Sequence, residues 1–125
     1  MTSKNVYWQK TGITKKDREK KSGCRSFLLW FTGLSGAGKS TIARELQHIL
    51  FNKDYRVYLL DGDNMRHGLC SDLGFEPEDR IENIRRVGEV AKLFVDAGVI
   101  TIASFISPYA KDRQLVRELF EPHDF

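Results

Sequence analysis

The chain has 125 residues, 41% of them hydrophobic and 30% charged, the make-up of a single soluble globular domain long enough to bury a core. No apolar run approaches the roughly 20 residues that span a bilayer, and no signal-peptide apolar region stands at the N-terminus, so neither a membrane protein nor an exported one is expected. The net charge of +3 is uneven: residues 1–26 hold eight Lys or Arg against Asp17 and Glu19, a net of +6, which leaves −3 on the other 99.

Taken in chain order, residues 1–26 read as a basic, solvated leader ahead of a domain at 27–125. Its lysines have few aromatics between them and no nucleic-acid-binding motif, so nucleic acid is not an expected partner. Leu28 to Phe31 is apolar without alternation, the pattern of a strand in a parallel sheet covered on both faces. It runs into Gly33-Leu-Ser-Gly-Ala-Gly38-Lys39-Ser40, which fits the phosphate-binding pattern of glycine, four residues, glycine, lysine, serine or threonine. Gly33, Gly36 and Gly38 free the backbone to turn its N–H groups inward on a polyphosphate, helped by the positive end of the helix that follows. Lys39 supplies a point charge for the β- and γ-phosphates, and the Ser40 hydroxyl suits Mg²⁺.

Helical spacing runs from Lys39 to about Asn52, with Ile42, Leu46, Ile49 and Leu50 on one side. Arg56 to Leu60 is a second strand, ending at Asp61-Gly62-Asp63, and a turn-rich segment with Gly68, Asp72 and Gly74 follows. Pro77 suits the first turn of a long helix in which Ile81, Ile84, Val87, Ala91 and Phe94 recur, with Gly98 as its cap. Val99 to Ile106 is a third apolar strand, broken at Ser107-Pro108, and Leu115, Val116, Leu119 and Phe120 mark a last amphipathic helix. This alternation implies an α/β fold with a parallel sheet and helices on both faces, whose ligands collect at the carboxyl ends of the strands. Cys24 and Cys70 form no CxxC pair, and reduced cytoplasmic thiols are expected.

Asp61 and Asp63 stand just past a strand end, where a carboxylate can hold a Mg²⁺ water or take a proton from a hydroxyl. In Asp79 to Arg86, Glu82 precedes Arg86 by four residues and Arg85 precedes Glu89 by four, so both arginines have helical partners. Arg80 has no carboxylate three or four residues after it, sits where the helix dipole disfavours a cation, and shares its face with Asn83. That placement suits an anionic ligand. Arg66 is a second anion clamp, while Phe75 either stacks on a base or fills the core. His48, His67 and His123 show no metal-ligand spacing, and Trp8 and Trp30 read as packing residues.

From Asn5-Val-Tyr-Trp8 onward, the chain resembles the adenylyl-sulfate (APS) kinase family in its free-standing bacterial form. The blocks that carry the resemblance are GLSGAGKST, LLDGDNMRHGLCSDLGF, DRIENIRRVGEVAKLFVDAG and SFISPY. The resemblance implies a P-loop NTPase-like three-layer α/β/α fold and transfer of the ATP γ-phosphoryl group to the 3′-hydroxyl of APS, giving PAPS and ADP in sulfate assimilation. It implies that Gly36, Ala37, Gly38, Lys39, Ser40 and Thr41 hold ATP, and that Ser40 and Asp61 serve Mg²⁺. Asp63 would orient or deprotonate the 3′-hydroxyl. Asp63, Asn64, Arg66, Phe75, Arg80, Asn83, Ile106 and Ser107 would bind APS, with Lys39, Asp63 and Ser107 at the reacting centre and Ser107 a phosphoserine position in some relatives. A cytoplasmic homodimer with a functional link to ATP sulfurylase is further implied. Family members continue past this chain's end, where a fourth strand, a substrate-binding lysine, a lid with a second aromatic and the adenine-holding residues are expected, so the chain reads as a truncated form. Another small-molecule P-loop kinase and a non-catalytic nucleotide-binding module remain alternatives, while a GTPase lacks its Asn-Lys-x-Asp motif.

Overall fold

Three short, mostly apolar segments pair side by side: β1 (Leu28–Thr32), β2 (Val57–Asp61) and β3 (Ile100–Phe105), of which only β3 buries both of its faces. The computed structural model describes residues 11–32, 39–105, 110–121 and 124–125, with the side chains of Lys39 and Ser40 outside that description. Among the described residues the sheet is parallel, in the order β1-β3-β2. The middle strand is buried at all six positions, which is why its sequence is nearly continuous apolar. Trp30, Ala103 and Leu60 lie in one register row, and Phe31, Ser104 and Asp61 in the next. Since register partners point to the same side, the two rows face opposite layers.

The connecting helices form those layers. Helix α2 (Lys39–Asn52) covers the Phe31–Ser104–Asp61 side, and α4 (Pro77–Asp96) with α5 (Ala110–Arg117) covers the other. Leu28, Leu60, Ala103 and Phe105 of the sheet, Ile84, Val87, Ala91 and Val95 of α4, and Val116 of α5 make one core. Each large side chain there contributes about 1.5–3 kcal/mol of apolar burial. Trp30 stacks on Phe105 at 5.7 Å and Phe125 at 6.3 Å between ring centroids, a packing residue as expected.

The buried faces agree with the spacing at Leu46 and Leu50 of α2 and at Ile84, Val87, Ala91 and Phe94 of α4, and depart from it at Ile42, Ile49 and Ile81. In α2, Ile42 and Ile49 are more than half exposed, and the fully buried residue is Ala43. Contact with the sheet runs through Ala43, Leu46 and Leu50, also three and four apart, because a small side chain lets the helix axis approach closely. In α4, Ile81 is exposed, and the stripe runs through Ile84, Val87, Gly88, Ala91 and Val95. Pro77 stands in the first turn, and Gly98 follows the C-cap at a φ of +93°, a left-handed conformation that favours glycine. The last helix ends at Arg117, so Leu119 and Phe120 lie in the turn beyond it.

Two further helices have no counterpart in the sequence reading. The first, α1 (Lys15–Ser22), starts at a capping box in which Thr14 Oγ1 accepts from the Asp17 N–H at 3.1 Å while the Thr14 N–H donates to Asp17 Oδ2 at 2.9 Å. It buries no residue, yet it is anchored by charge. Arg18 donates to the Asp96 backbone at 3.1 Å and side chain at 3.2 Å, Glu19 accepts from Lys15 Nζ and the Ser26 N–H at 2.7 Å each, and the Ser26 hydroxyl donates to the Val95 carbonyl at 2.7 Å. Within the described part of the leader, Lys15 and Arg25 pair with Asp124 at 3.4 Å each, so basic residues there find carboxylates far away in sequence. The second is α3 (Gly62–Met65), a single turn beside the strand ends.

Arg85 pairs backward with Glu82, at 2.7 and 2.8 Å, rather than forward with Glu89. Arg86 takes Glu82 at 2.8 Å as expected, and also grips Asp72 at 2.6 and 3.1 Å and the Leu69 carbonyl at 3.1 Å, tying the segment before α4 to the helix. Hydrogen bonds from Arg85 and Arg86 hold the Glu82 carboxyl down from 4.5 to about 2. A depressed pKa stabilises the fold above pH 4.5, and that contribution is lost as the pH falls towards 2. Glu82→Gln is thus expected to lower the melting temperature most at neutral pH, with the difference from the parent shrinking between pH 4.5 and 2.

Candidate functional site

Strand direction decides where the candidate residues meet. β1, β2 and β3 end at the same edge of the sheet, and α4, which returns the chain to the start of β3, has its first turns at that edge. Asp61 is the last residue of β2 and the N-cap of α3, where its Oδ1 accepts from the N–H of Asp63 at 2.9 Å and of Asn64 at 3.4 Å. The cap orients the turn so that Asp63 and Asn64 are exposed. Gly62 is required for it: a Cβ there would stand 2.9 Å from the Phe105 ring and 3.2 Å from the Ser104 carbonyl. A cavity of about 500 Å³ opens beside this turn, lined by Asp61, Asp63 and Asn64 together with Arg44 and Gln47 of α2 and Leu59. Its size and polar rim fit a nucleotide-sized ligand.

Around Gly74, Arg66 donates to that residue's carbonyl at 3.2 Å and its guanidinium lies 4.5 Å from the Phe75 ring centroid. Phe75 is 86% exposed, which removes the core-filling alternative and leaves an aromatic face open to solvent. At the start of α4, Asn83 is buried and its Oδ1 has no hydrogen-bond partner among the described residues. Arg80 does have a carboxylate: its Nε donates to Asp112 Oδ2 of α5 at 3.3 Å, with the Arg80 side chain 29% exposed and that of Asp112 1%. The local argument for a lone arginine is corrected by a residue 32 positions away that only the fold brings near.

Gly36, Ala37, Gly38, Ile106 and Ser107 lie outside the described residues, as do the side chains of Lys39 and Ser40. Thr41 is described and exposed on α2. The structure thus brings Asp61, Asp63 and Asn64 together at one cavity and Arg66 together with Phe75. Arg44, Gln47, Ser104 and Asp112 were missed by sequence reasoning. Only Ser104 carried a signal, a hydroxyl inside an otherwise apolar strand.

The carboxylate oxygens of Asp61 and Asp63 at the end of β2 are hard donors, which suit Mg²⁺ better than a softer metal. Among the described residues there is no group of three or more His, Cys, Asp or Glu placed to hold a metal ion. Nor is any described helix long and apolar enough to cross a membrane. Cys24 and Cys70 are both free.

The family model for adenylylsulphate kinase matches residues 25–125. The adenylyl-sulfate kinase of Acaryochloris marina is 55% identical over 125 residues, which is all of this chain and 61% of that protein. The enzyme of the same name from Geotalea daltonii is 60% identical over 121 residues, 97% of this chain and 60% of that protein. Among solved structures, the Mycobacterium tuberculosis APS kinase CysC in complex with AMPPNP and APS matches with a TM-score of 0.74 at 48% identity, over 76% of this chain and 55% of its own. The hexameric APS kinase from Thiobacillus denitrificans matches with a TM-score of 0.72 at 40% identity, over 83% of this chain and 22% of its own. The fold is thereby that of the P-loop NTPases, and the chain spans about 60% of the length of the curated relatives it matches.

Proposed function

The chain belongs to the adenylylsulphate kinase family, and from that membership we propose that it transfers the γ-phosphoryl group of ATP to the 3′-hydroxyl of APS, yielding PAPS and ADP. The observation that carries this reading is the cavity at the strand ends, where Asp61, Asp63 and Asn64 converge beside the helix that follows the phosphate loop.

In this reading the phosphate-loop residues Gly36 to Thr41 and Lys39 in particular hold the triphosphate, while Ser40 and Asp61 hold Mg²⁺. When bound, the ion neutralises charge on the phosphates. Asp63, exposed at the cavity, accepts the 3′-hydroxyl proton as that oxygen forms its bond to the γ-phosphorus. The bond from the γ-phosphorus to the β–γ bridging oxygen breaks, and ADP leaves with the electron pair. The protein's part is positioning and charge neutralisation, as phosphoryl transfer generally demands. On the APS side, Phe75 offers its exposed face to the adenine and Arg66, Arg80, Asn64 and Asn83 take polar groups, with Ile106 and Ser107 lining the same pocket. Asn83 Oδ1 has no partner among the described residues, which favours a ligand for it.

A cytoplasmic homodimer, a kinase domain at 27–125 behind the basic leader, phosphorylation at Ser107 and a functional link to ATP sulfurylase complete the reading, on the strength of family resemblance. ADP formation with ATP and Mg²⁺, with and without APS, is the test. ADP is expected only when APS is present. ATP binding without APS-dependent ADP would overturn the catalytic reading in favour of a nucleotide-binding module.

A further inference from the structure

On the α2 side of the sheet, the last complete register row consists of Phe31, Ser104 and Asp61. Asp61 reaches the cavity. Its neighbour Ser104 is 2% exposed, and Ser104 Oγ is a buried polar atom with no hydrogen-bond partner among the described residues. Such a hydroxyl has left water without replacement and costs the protein stability. The other hydroxyl of the strand, Thr101, is satisfied by the Val99 carbonyl at 3.2 Å. Ser104 also stands where the Asp61–Asp63 turn closes down on β3, with its carbonyl against Gly62.

A buried polar group that is unpaired among the described residues, beside a carboxylate at the ligand-binding edge of a parallel sheet, is explained by a partner that arrives with the ligand. We infer that Ser104 is a nucleotide-binding residue, whose hydroxyl donates to a phosphate oxygen of the Mg²⁺–nucleotide, directly or through one of its waters. The inference rests on the nucleotide-binding reading above and adds to it a residue outside the phosphate loop, on the middle strand.

The test measures two quantities on the parent and on Ser104→Ala: melting temperature without nucleotide, and affinity for Mg²⁺–AMPPNP by titration calorimetry. The variant is expected to melt about 2–4 °C higher, because an unsatisfied group is gone. It is also expected to bind Mg²⁺–AMPPNP about fivefold to tenfold more weakly, the worth of one hydrogen bond. A hydroxyl with a purely structural role would not move the two in opposite senses. Affinity within twofold of the parent, or a melting temperature that fails to rise, overturns the inference. A parent that does not bind Mg²⁺–AMPPNP overturns the nucleotide reading and this inference with it, whereas a binding parent with an unaffected variant overturns this inference alone.

Discussion

Lys39→Ala is expected to lower APS-dependent ADP formation by a factor of roughly 100–1,000, the usual result of removing one preorganised charge from a transition state. Lys39 is the first residue of α2, directly after the glycine-rich loop, so its chain position sets it at the positive end of the helix. In a loose phosphoryl-transfer transition state, negative charge develops on the β–γ bridge and the leaving ADP, and a lysine there stabilises it more than it stabilises bound ATP. The loss should therefore appear mainly in kcat. Lys39→Arg should recover little, since a planar guanidinium does not occupy the place of a compact ammonium. α2 is held on the sheet through Ala43, which is fully buried, so the melting temperature should stay close to that of the parent. Undiminished turnover in Lys39→Ala would sink the kinase assignment.

Arg80→Ala should produce two separable effects, because Arg80 is proposed to bind APS and also pairs with the buried carboxylate of Asp112. Removing the arginine leaves that carboxylate, 1% exposed, without its cation. Breaking a buried pair from one side costs about 3 kcal/mol, which lowers the melting temperature by on the order of 10 °C. The KM for APS should rise about tenfold to a hundredfold, as for a lost charge-assisted hydrogen bond, with the KM for ATP little changed. Adding Asp112→Asn to Arg80→Ala removes the stranded charge and keeps the volume, so it should restore most of the melting temperature and none of the APS affinity. If the double variant regains APS affinity along with stability, Arg80 is a structural residue and its ligand role is wrong.

Legibility followed the range of the interactions concerned. The order of strands and helices could be read because periodicity, Pro77 and Gly98 act through neighbours in the chain. Helix α1 is not legible from periodicity, because Lys15–Ser22 has no apolar face and only the Thr14–Asp17 capping box marks its start. The short α3 was read as part of a turn because one turn of helix has no periodicity to detect, and it exists through the Asp61 cap. Which face of α2 is buried depended on what lay beneath it, and the larger Ile42 and Ile49 lost to Ala43 because close approach, rather than hydrophobicity, chose the contact. The pairing of Arg85 with Glu82 instead of Glu89 is a choice between two neighbours that spacing alone does not rank.

By itself, the sequence determined the chemistry on offer: a phosphate-binding loop between a strand and a helix, carboxylates at the end of the next strand, and blocks specific enough to name the family. It could do so because a triphosphate and its metal are recognised by residue types at fixed short spacings. Only the tertiary structure decided which groups answer one another across the fold. Asp112 meets Arg80 because α5 returns over α4, and Ser104 stands beside Asp61 because β3 inserts between β1 and β2. Burial then gives each meeting its consequence, since a charge or hydroxyl that water would satisfy in the open chain must find a partner in the fold or in a ligand.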